Sequence, residues 1–170
     1  MMEIRAAHKE VLPDIMAVLD AAKAIMRASG NSEQWVDGYP SEEVILNDIA
    51  LGHGFVVVEE LWPKCERIVG YFAFIPSPEP TYVRIYDGAW LDDLAPYHVV
   101  HRIGSYPEVH GVFRTIMDWG FSHERNIRID THRDNHIMQH CILTYGFRYC
   151  GIIHLASGDE RLAYQKISKV

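Results

Sequence analysis

Residues 96–149 read PYHVVHRIGSYPEVHGVFRTIMDWGFSHERNIRIDTHRDNHIMQHCILTYGFRY, and the changes of pattern within them decide the fold. His98 to Ile103 is an alternating, β-rich run, and the turn formers Gly104, Ser105, Pro107 and Glu108 predict its end. Apolar residues then recur at Val112, Ile116 and Trp119, and again at Phe113, Met117 and Phe121. That spacing predicts a helix apolar around most of its circumference, and such a helix is buried. Asn126 to Thr131 is a second short alternating strand, after which Asp134 or Asn135 is placed to cap another helix. Met138, Cys141, Ile142 and Tyr145 fall at i, i+3, i+4 and i+7 on one face of it. Gly146 ends that helix, and Phe147 to Leu155 continues as a strand. Each helix start offers backbone N–H groups without intrahelical partners at the positive end of a dipole, the combination that holds an anion.

This stretch resembles the core of the GNAT superfamily of acyl-CoA-dependent N-acyltransferases. The family's pyrophosphate loop, Gln/Arg-x-x-Gly-x-Gly/Ala, is matched by Glu108-Val109-His110-Gly111-Val112-Phe113, where only Gly111 is kept. Glu108 puts an anion where the family has a cation or amide, and Phe113 puts a ring where backbone approaches phosphate. The second motif is closer, with Asn135, Met138 and the Gly146-Phe147 pair at the family's spacing. The tyrosine that often protonates the departing thiolate falls at Ile142, which has no proton to give. QWVDGYP and IRIDTHRDN are also similar to stretches in a bacterial subgroup of undefined substrate.

The resemblance implies an α+β, α/β/α fold, with a mixed, mostly antiparallel sheet of about seven strands flanked by four helices. It implies that the fourth and fifth strands splay into a V holding acetyl-CoA as co-substrate. In that fold the backbone of Val99, Val100 and Ile103 meets the pantetheine. His110, Gly111, Val112, Phe113, Arg114 and Thr115 form the pyrophosphate loop, with Arg114 as a point of positive charge, and Asn135 hydrogen-bonds the pantetheine arm.

Outside the central stretch, Glu3 to Ala7 predicts a strand, and Leu12, Ile15, Met16, Leu19, Ala22 and Met26 mark an amphipathic helix up to Ser29-Gly30. NSEQWVDGYP, residues 31–40, is a loop, and Ser41 caps a second helix through Leu51. Phe55 to Glu60 and Arg67 to Ile75 are strands joined by a turn at residues 61–66. Prolines 76, 78 and 80 precede Tyr82 to Tyr86, an extra edge segment or long loop, and Arg161 to Ile167 is a last strand. The element order β-α-α-β-β-β-α-β-α-β-β follows from periodicity alone and coincides with that of the family.

At 170 residues and 48% hydrophobic, the chain is expected to be one domain, 1–170, with a core that needs no metal or disulfide staple. Three cysteines outside any CxxC spacing, with no signal peptide and no long apolar run, point to a reducing cytoplasm. The net charge of −7 disfavours nucleic acid and anionic membrane as partners and suits an amine-bearing one. A homodimer is compatible with the sequence.

An amine that attacks a thioester must be neutral, so a base or a water chain is required near the nucleophile. Histidine, with a pKa of roughly 6.5, is the residue best suited. His98 and His101 stand on opposite faces of the core strand, so at most one of them faces the cleft. His101 is the preferred base, with His98 and Asp92 behind it, and backbone N–H groups near Val100 or His101 are expected to stabilise the oxyanion. A thiol's pKa of about 8.5 makes its thiolate a tolerable leaving group, so the loss of tyrosine at Ile142 is survivable, and Tyr145 is the substitute acid. Trp35, Tyr39, Tyr86, Trp90 and Asp92 are the candidate aromatic and acidic mouth for the acceptor.

Two other readings fit part of the sequence. His132, His136 and His140 form an i, i+4, i+8 row with metal-ligand spacing, but His132 precedes the helix and no carboxylate stands at the zincin position, so a solvated outer face with no metal is expected. Glu108, Phe113 and Ile142 together suit a catalytically degenerate member that binds an acyl-CoA as a sensor.

Overall fold

The computed structural model describes residues 1–62 and 65–169. Seven strands, β1 (Met2–Ala6), β2 (Gly54–Leu61), β3 (Cys65–Pro76), β4 (His98–Ser105), β5 (Asn126–Thr131), β6 (Arg148–His154) and β7 (Glu160–Ile167), form one sheet. Their order is β1-β2-β3-β4-β5-β7-β6, and every neighbouring pair is antiparallel except β4 with β5. Four helices, α1 (Leu12–Ala28), α2 (Glu42–Ala50), α3 (Val112–His123) and α4 (His136–Tyr145), cover it. The fold class and element order expected from the sequence are those observed. Among the described residues no helix is long and apolar enough to cross a membrane.

The helices split between the two faces by where their apolar stripes fall. α1 lies on β3 and β4, and its buried Ile15 and Leu19 join Ile45 of α2 and Tyr71 of β3 in one cluster. α3 lies on β1, β3 and β5, and its Val112, Ile116 and Met117 join Phe72, Ile127, Ile142 and Phe147 in the larger cluster. α3 is less enclosed than its sequence predicts, because Phe113, Trp119 and Phe121 are only partly covered while Arg114 and Asp118 are exposed. Trp119 spends its ring on Phe55, Phe72 and Phe74.

One boundary differs from expectation for a local reason, and one open alternative is decided. Gly104 and Ser105 are not a turn: they pair with Tyr71 and Gly70, and β4 runs on through them. A side chain at Gly104 would meet Leu19 of α1 at 2.9 Å, so the glycine serves close helix–sheet approach. Of the two readings of Tyr82 to Tyr86, the long loop is the one observed. Pro80–Tyr82 is a single 3-10 turn, and Tyr86 makes one isolated bridge to Ile152, with both N–H···O bonds at 2.8 Å. Pro63 and Lys64, within the expected hairpin turn, lie outside the described residues.

Residues 77–97 form a covering layer with no regular strand, and one buried cation fastens it. Arg128 of β5, 1% exposed, is sandwiched between the rings of Trp90 at 4.0 Å and Tyr97 at 3.8 Å. Its Nη2 donates to the Asp92 carbonyl at 2.9 Å, and burial lowers its pKa. Tyr82, fully buried, packs against the same Trp90 and Tyr97.

Candidate active site

The one parallel pair in the sheet is also the shortest. β4 and β5 are in register only at His98 with Ile127 and Val99 with Arg128, and then they part. Beyond Val99, β4 remains paired with β3 on one side only. Its other edge carries the backbone groups of Val100 to Ser105 with no strand beside them. A bulge adds to this: two residues of β4, Arg102 and Ile103, stand opposite the single Phe72 of β3, between the pairs His101–Ala73 and Gly104–Tyr71, and Arg102 takes φ 56°. Bulges re-aim the strand that carries them.

The opening is a cleft of about 590 Å³. His101 lies on its wall between two carboxylates, with Nε2 3.3 Å from Glu79 Oε2 and Nδ1 3.6 Å from Asp130 Oδ1. Tyr82 donates its hydroxyl to the same Asp130 oxygen and meets the His101 ring edge-on. Burial by itself would raise the Glu79 carboxyl. The hydrogen bond and charge of His101 and the N–H and hydroxyl of Thr81 outweigh it and hold the group at about 2. Glu79 is therefore an anion throughout the neutral range.

The cleft wall at Arg102 and Tyr39 is braced from beneath. Asp48 of α2, 3% exposed, takes a bidentate ion pair from Arg102 at 2.6 and 2.8 Å and the Tyr71 hydroxyl at 2.7 Å. Burial works against the Arg102 charge, and Asp48 more than restores it, so the arginine's pKa is raised. Arg102 Nη1 also donates to the Tyr39 hydroxyl at 2.9 Å, which ties the loop before α2 to the bulge of β4.

The sequence-predicted residues are distributed unevenly around this cleft. Val100, His101, Ile103, Asn135, Trp35 and Tyr39 line it. His98 does not: as its register requires, it is on the opposite face, stacked on Phe74 at 4.4 Å and 3.3 Å from Glu124, so it is not behind His101. Asp92 accepts from the N–H groups of Leu94 and Ala95 instead of reaching His101, and these bonds lower its pKa. Trp90 is buried on Arg128, and Tyr86 stacks on His154 away from the cleft. Tyr145 also lies outside the lining; its hydroxyl donates to Asp118 at 2.7 Å, and burial together with that carboxylate raises its pKa. Ile142 is fully buried in the core.

The α3 end keeps the features that suit a diphosphate. Gly111 is the N-cap at φ 83°, a conformation that a side chain would strain, and no side chain caps the helix. The first N–H to close a helical bond is that of Thr115, to the Gly111 carbonyl. The N–H groups of Val112, Phe113 and Arg114 precede it, and His110 and Arg114 stand exposed beside them. The two departures from the family loop are accommodated. Glu108 is 3.5 Å from Arg67, and Phe113 packs edge-on against Tyr145 instead of filling the opening. Asn135 caps α4, accepting from Met138 N–H at 3.0 Å, and its amide donates to Gln34 at 2.9 Å.

Several residues of the cleft were invisible to the sequence reading. Glu79 sits between two prolines with no periodic signal, and only the docking of residues 77–97 brings it to His101. Asp130 did carry a signal, since it shares a strand face with Arg128 and a half-buried strand with two charges on one face implies partners for both. Among the described residues no group of three or more His, Cys, Asp or Glu side chains converges to hold a metal ion. His132 is instead bonded locally, its Nδ1 taking the Asp134 N–H at 3.1 Å, and burial and the charge of Arg161 lower its pKa.

The fold of the whole chain has counterparts among known structures. An acetyltransferase of the GNAT family from Streptococcus agalactiae 2603 is 34% identical over 99% of this chain and 96% of its own, with a TM-score of 0.89. A GNAT-family acetyltransferase from Listeria monocytogenes 4b F2365 is 19% identical over 98% and 95%, with a TM-score of 0.69. The NatC complex bound to Gag peptide and CoA matches at 11% identity over 99% of each chain, with a TM-score of 0.62. The last two show the fold alone. No protein-family model and no curated protein matches the chain. The chain belongs to the GNAT family of acetyltransferases. Its fold is one that supports acetyl transfer.

Proposed function

We propose that this protein transfers an acetyl group from acetyl-CoA to a primary amine of a small molecule or peptide, by direct attack through a tetrahedral intermediate. The observation that carries this reading is the parting of β4 from β5 beyond Val99, with His101 held between Glu79 and Asp130 on the wall of the opening. The thioester supplies the activated acyl carbon. The free edge of Val100 to Ser105 would take the pantetheine, and the N–H groups of residues 112–114 with Arg114 would take the diphosphate.

An acceptor reaches the cleft as an ammonium and must lose a proton before it can attack. A neutral His101 that donates Nε2–H to Glu79 leaves Nδ1 free to accept that proton, and the imidazolium so formed lies within 3.6 Å of Asp130. Glu79 and Asp130 thus fix the ring on both sides, while Tyr82 orients Asp130. The oxyanion would meet backbone N–H groups on the free edge of β4, where the bulge at Arg102 turns the chain. Tyr145, bonded to Asp118, is given no part in protonating the sulfur; the low basicity of a thiolate lets it leave and take a proton from water.

The test is thiol release from acetyl-CoA with a panel of polyamines, amino acids, aminoglycosides and peptide N-termini. His101→Ala should lower turnover at neutral pH by about 100-fold, the scale of a lost general base, with acetyl-CoA affinity nearly intact. Acetyl-CoA that raises the melting temperature while no acceptor releases thiol would favour the sensor reading, which Ile142, with no proton to give, also suits.

A further inference from the structure

Two guanidinium groups line the cleft among the described residues, and only one has a countercharge. Arg102 is committed to Asp48. Arg161, at the start of β7 where Leu162 pairs with the end of β5 at Thr131, is 7% exposed. Its one hydrogen bond runs from Nη1 to the neighbouring Glu160 carbonyl at 2.9 Å. Among the described residues no carboxylate lies within 4.0 Å of it. Of the adjacent acids, Asp159, which also lines the cleft, is not paired with the guanidinium and accepts from the Ser157 hydroxyl at 2.9 Å, and Glu160 pairs with Arg133. A guanidinium drawn out of water without an anion is costly, and its planar fork matches a carboxylate through two parallel hydrogen bonds.

The cleft lining therefore carries two chemically distinct groups. His101 with Glu79 and Asp130 suits an ammonium, and Arg161 suits an anion. We propose that the acceptor is a free amino acid, its amine delivered to His101 and its carboxylate seated on Arg161. This rests on the acetyl-transfer reading and narrows its substrate. The C–N bond forms as the amine adds to the thioester carbonyl, and the C–S bond breaks when the tetrahedral intermediate collapses. Both protons that the ammonium gives up pass to solvent, one of them through His101, and the departing sulfur takes one proton from water.

The experiment compares matched pairs, each an amino acid and the amine left by removing its carboxylate, with wild type and with Arg161→Gln and Arg161→Lys. Wild type is expected to favour the acid of at least one pair by about 10- to 100-fold in kcat/KM, the range for a hydrogen-bonded charge pair. Arg161→Gln should remove that preference through KM, leave the amine's kinetics close to wild type, and retain the melting shift with acetyl-CoA. Arg161→Lys should restore part of it. Amines used as well as their parent acids by wild type, or a preference that survives in Arg161→Gln, would overturn the assignment. Thiol release with other amines but with no amino acid would also overturn it and leave the transferase reading standing. Failure of acetyl-CoA to bind at all would overturn the reading beneath both.

Discussion

His101 Nε2 and Glu79 Oε2 are 3.3 Å apart although the residues are separated by 22 positions in the chain. The contact exists because residues 77–97 fold back over β5 and are pinned there by Arg128 between Trp90 and Tyr97. The site is thus assembled from a strand, which the sequence announces, and a covering segment, which it does not.

The Glu79 carboxylate has a folded pKa of about 2 against an ordinary value of 4.5. A depressed carboxyl contributes stability that is complete above its unfolded value and is lost as pH falls through the folded one. Glu79→Gln should therefore lower the urea midpoint near pH 6, by an amount equivalent to about 1–2 kcal/mol after discounting for solvent screening. The gap between variant and wild type should close as pH drops from about 4.5 toward 2. A gap of constant size across that window would contradict the assignment.

Asp48→Ala should destabilise the fold by about 3–5 kcal/mol, because it strands the Arg102 charge and the Tyr71 hydroxyl together. Replacing Asp48 and Arg102 by leucine in one chain should cost less than the sum of the two single changes, since neither then leaves a buried charge alone. Chemical denaturation of the four proteins of the cycle measures this. Strict additivity would show that the pair is not coupled.

A Cβ at Gly88 would lie 1.9 Å from the Cys150 carbonyl oxygen on β6. Gly88→Ala must lift residues 77–97 from the sheet, with an expected loss of about 3 kcal/mol. Because the same segment carries Glu79 and Tyr82, activity should fall further than the folded fraction does. Full activity in the folded fraction would show that the covering layer does not hold the site.

The division between what was legible in the sequence and what was not follows periodicity. α1, α2, α4 and β5 were readable to within a residue or two because their apolar spacing, the Ser41 and Asn135 caps and Gly146 all point the same way. His98 and His101 were correctly set on opposite faces, since side-chain direction along a strand alternates. The mouth of the cleft was half legible: Trp35 and Tyr39 reach it, whereas Trp90 and Asp92, similar in composition, are spent on holding residues 77–97 to Arg128 and to their own turn. Composition marks aromatic and acidic residues as useful, but only tertiary packing decides whether they face a ligand or the core. The same limit hid Glu79 and Arg161, whose roles depend on which neighbours are already taken.

Amide hydrogen exchange with and without acetyl-CoA addresses the opening between β4 and β5 most plainly. With the nucleotide bound, amides on the free edge of residues 100–105 and at the α3 start, residues 112–115, should exchange more slowly, while residues 83–94 should be unchanged. A rise in melting temperature with no added protection in either segment would place acetyl-CoA elsewhere on the molecule and remove the basis for acetyl transfer at His101.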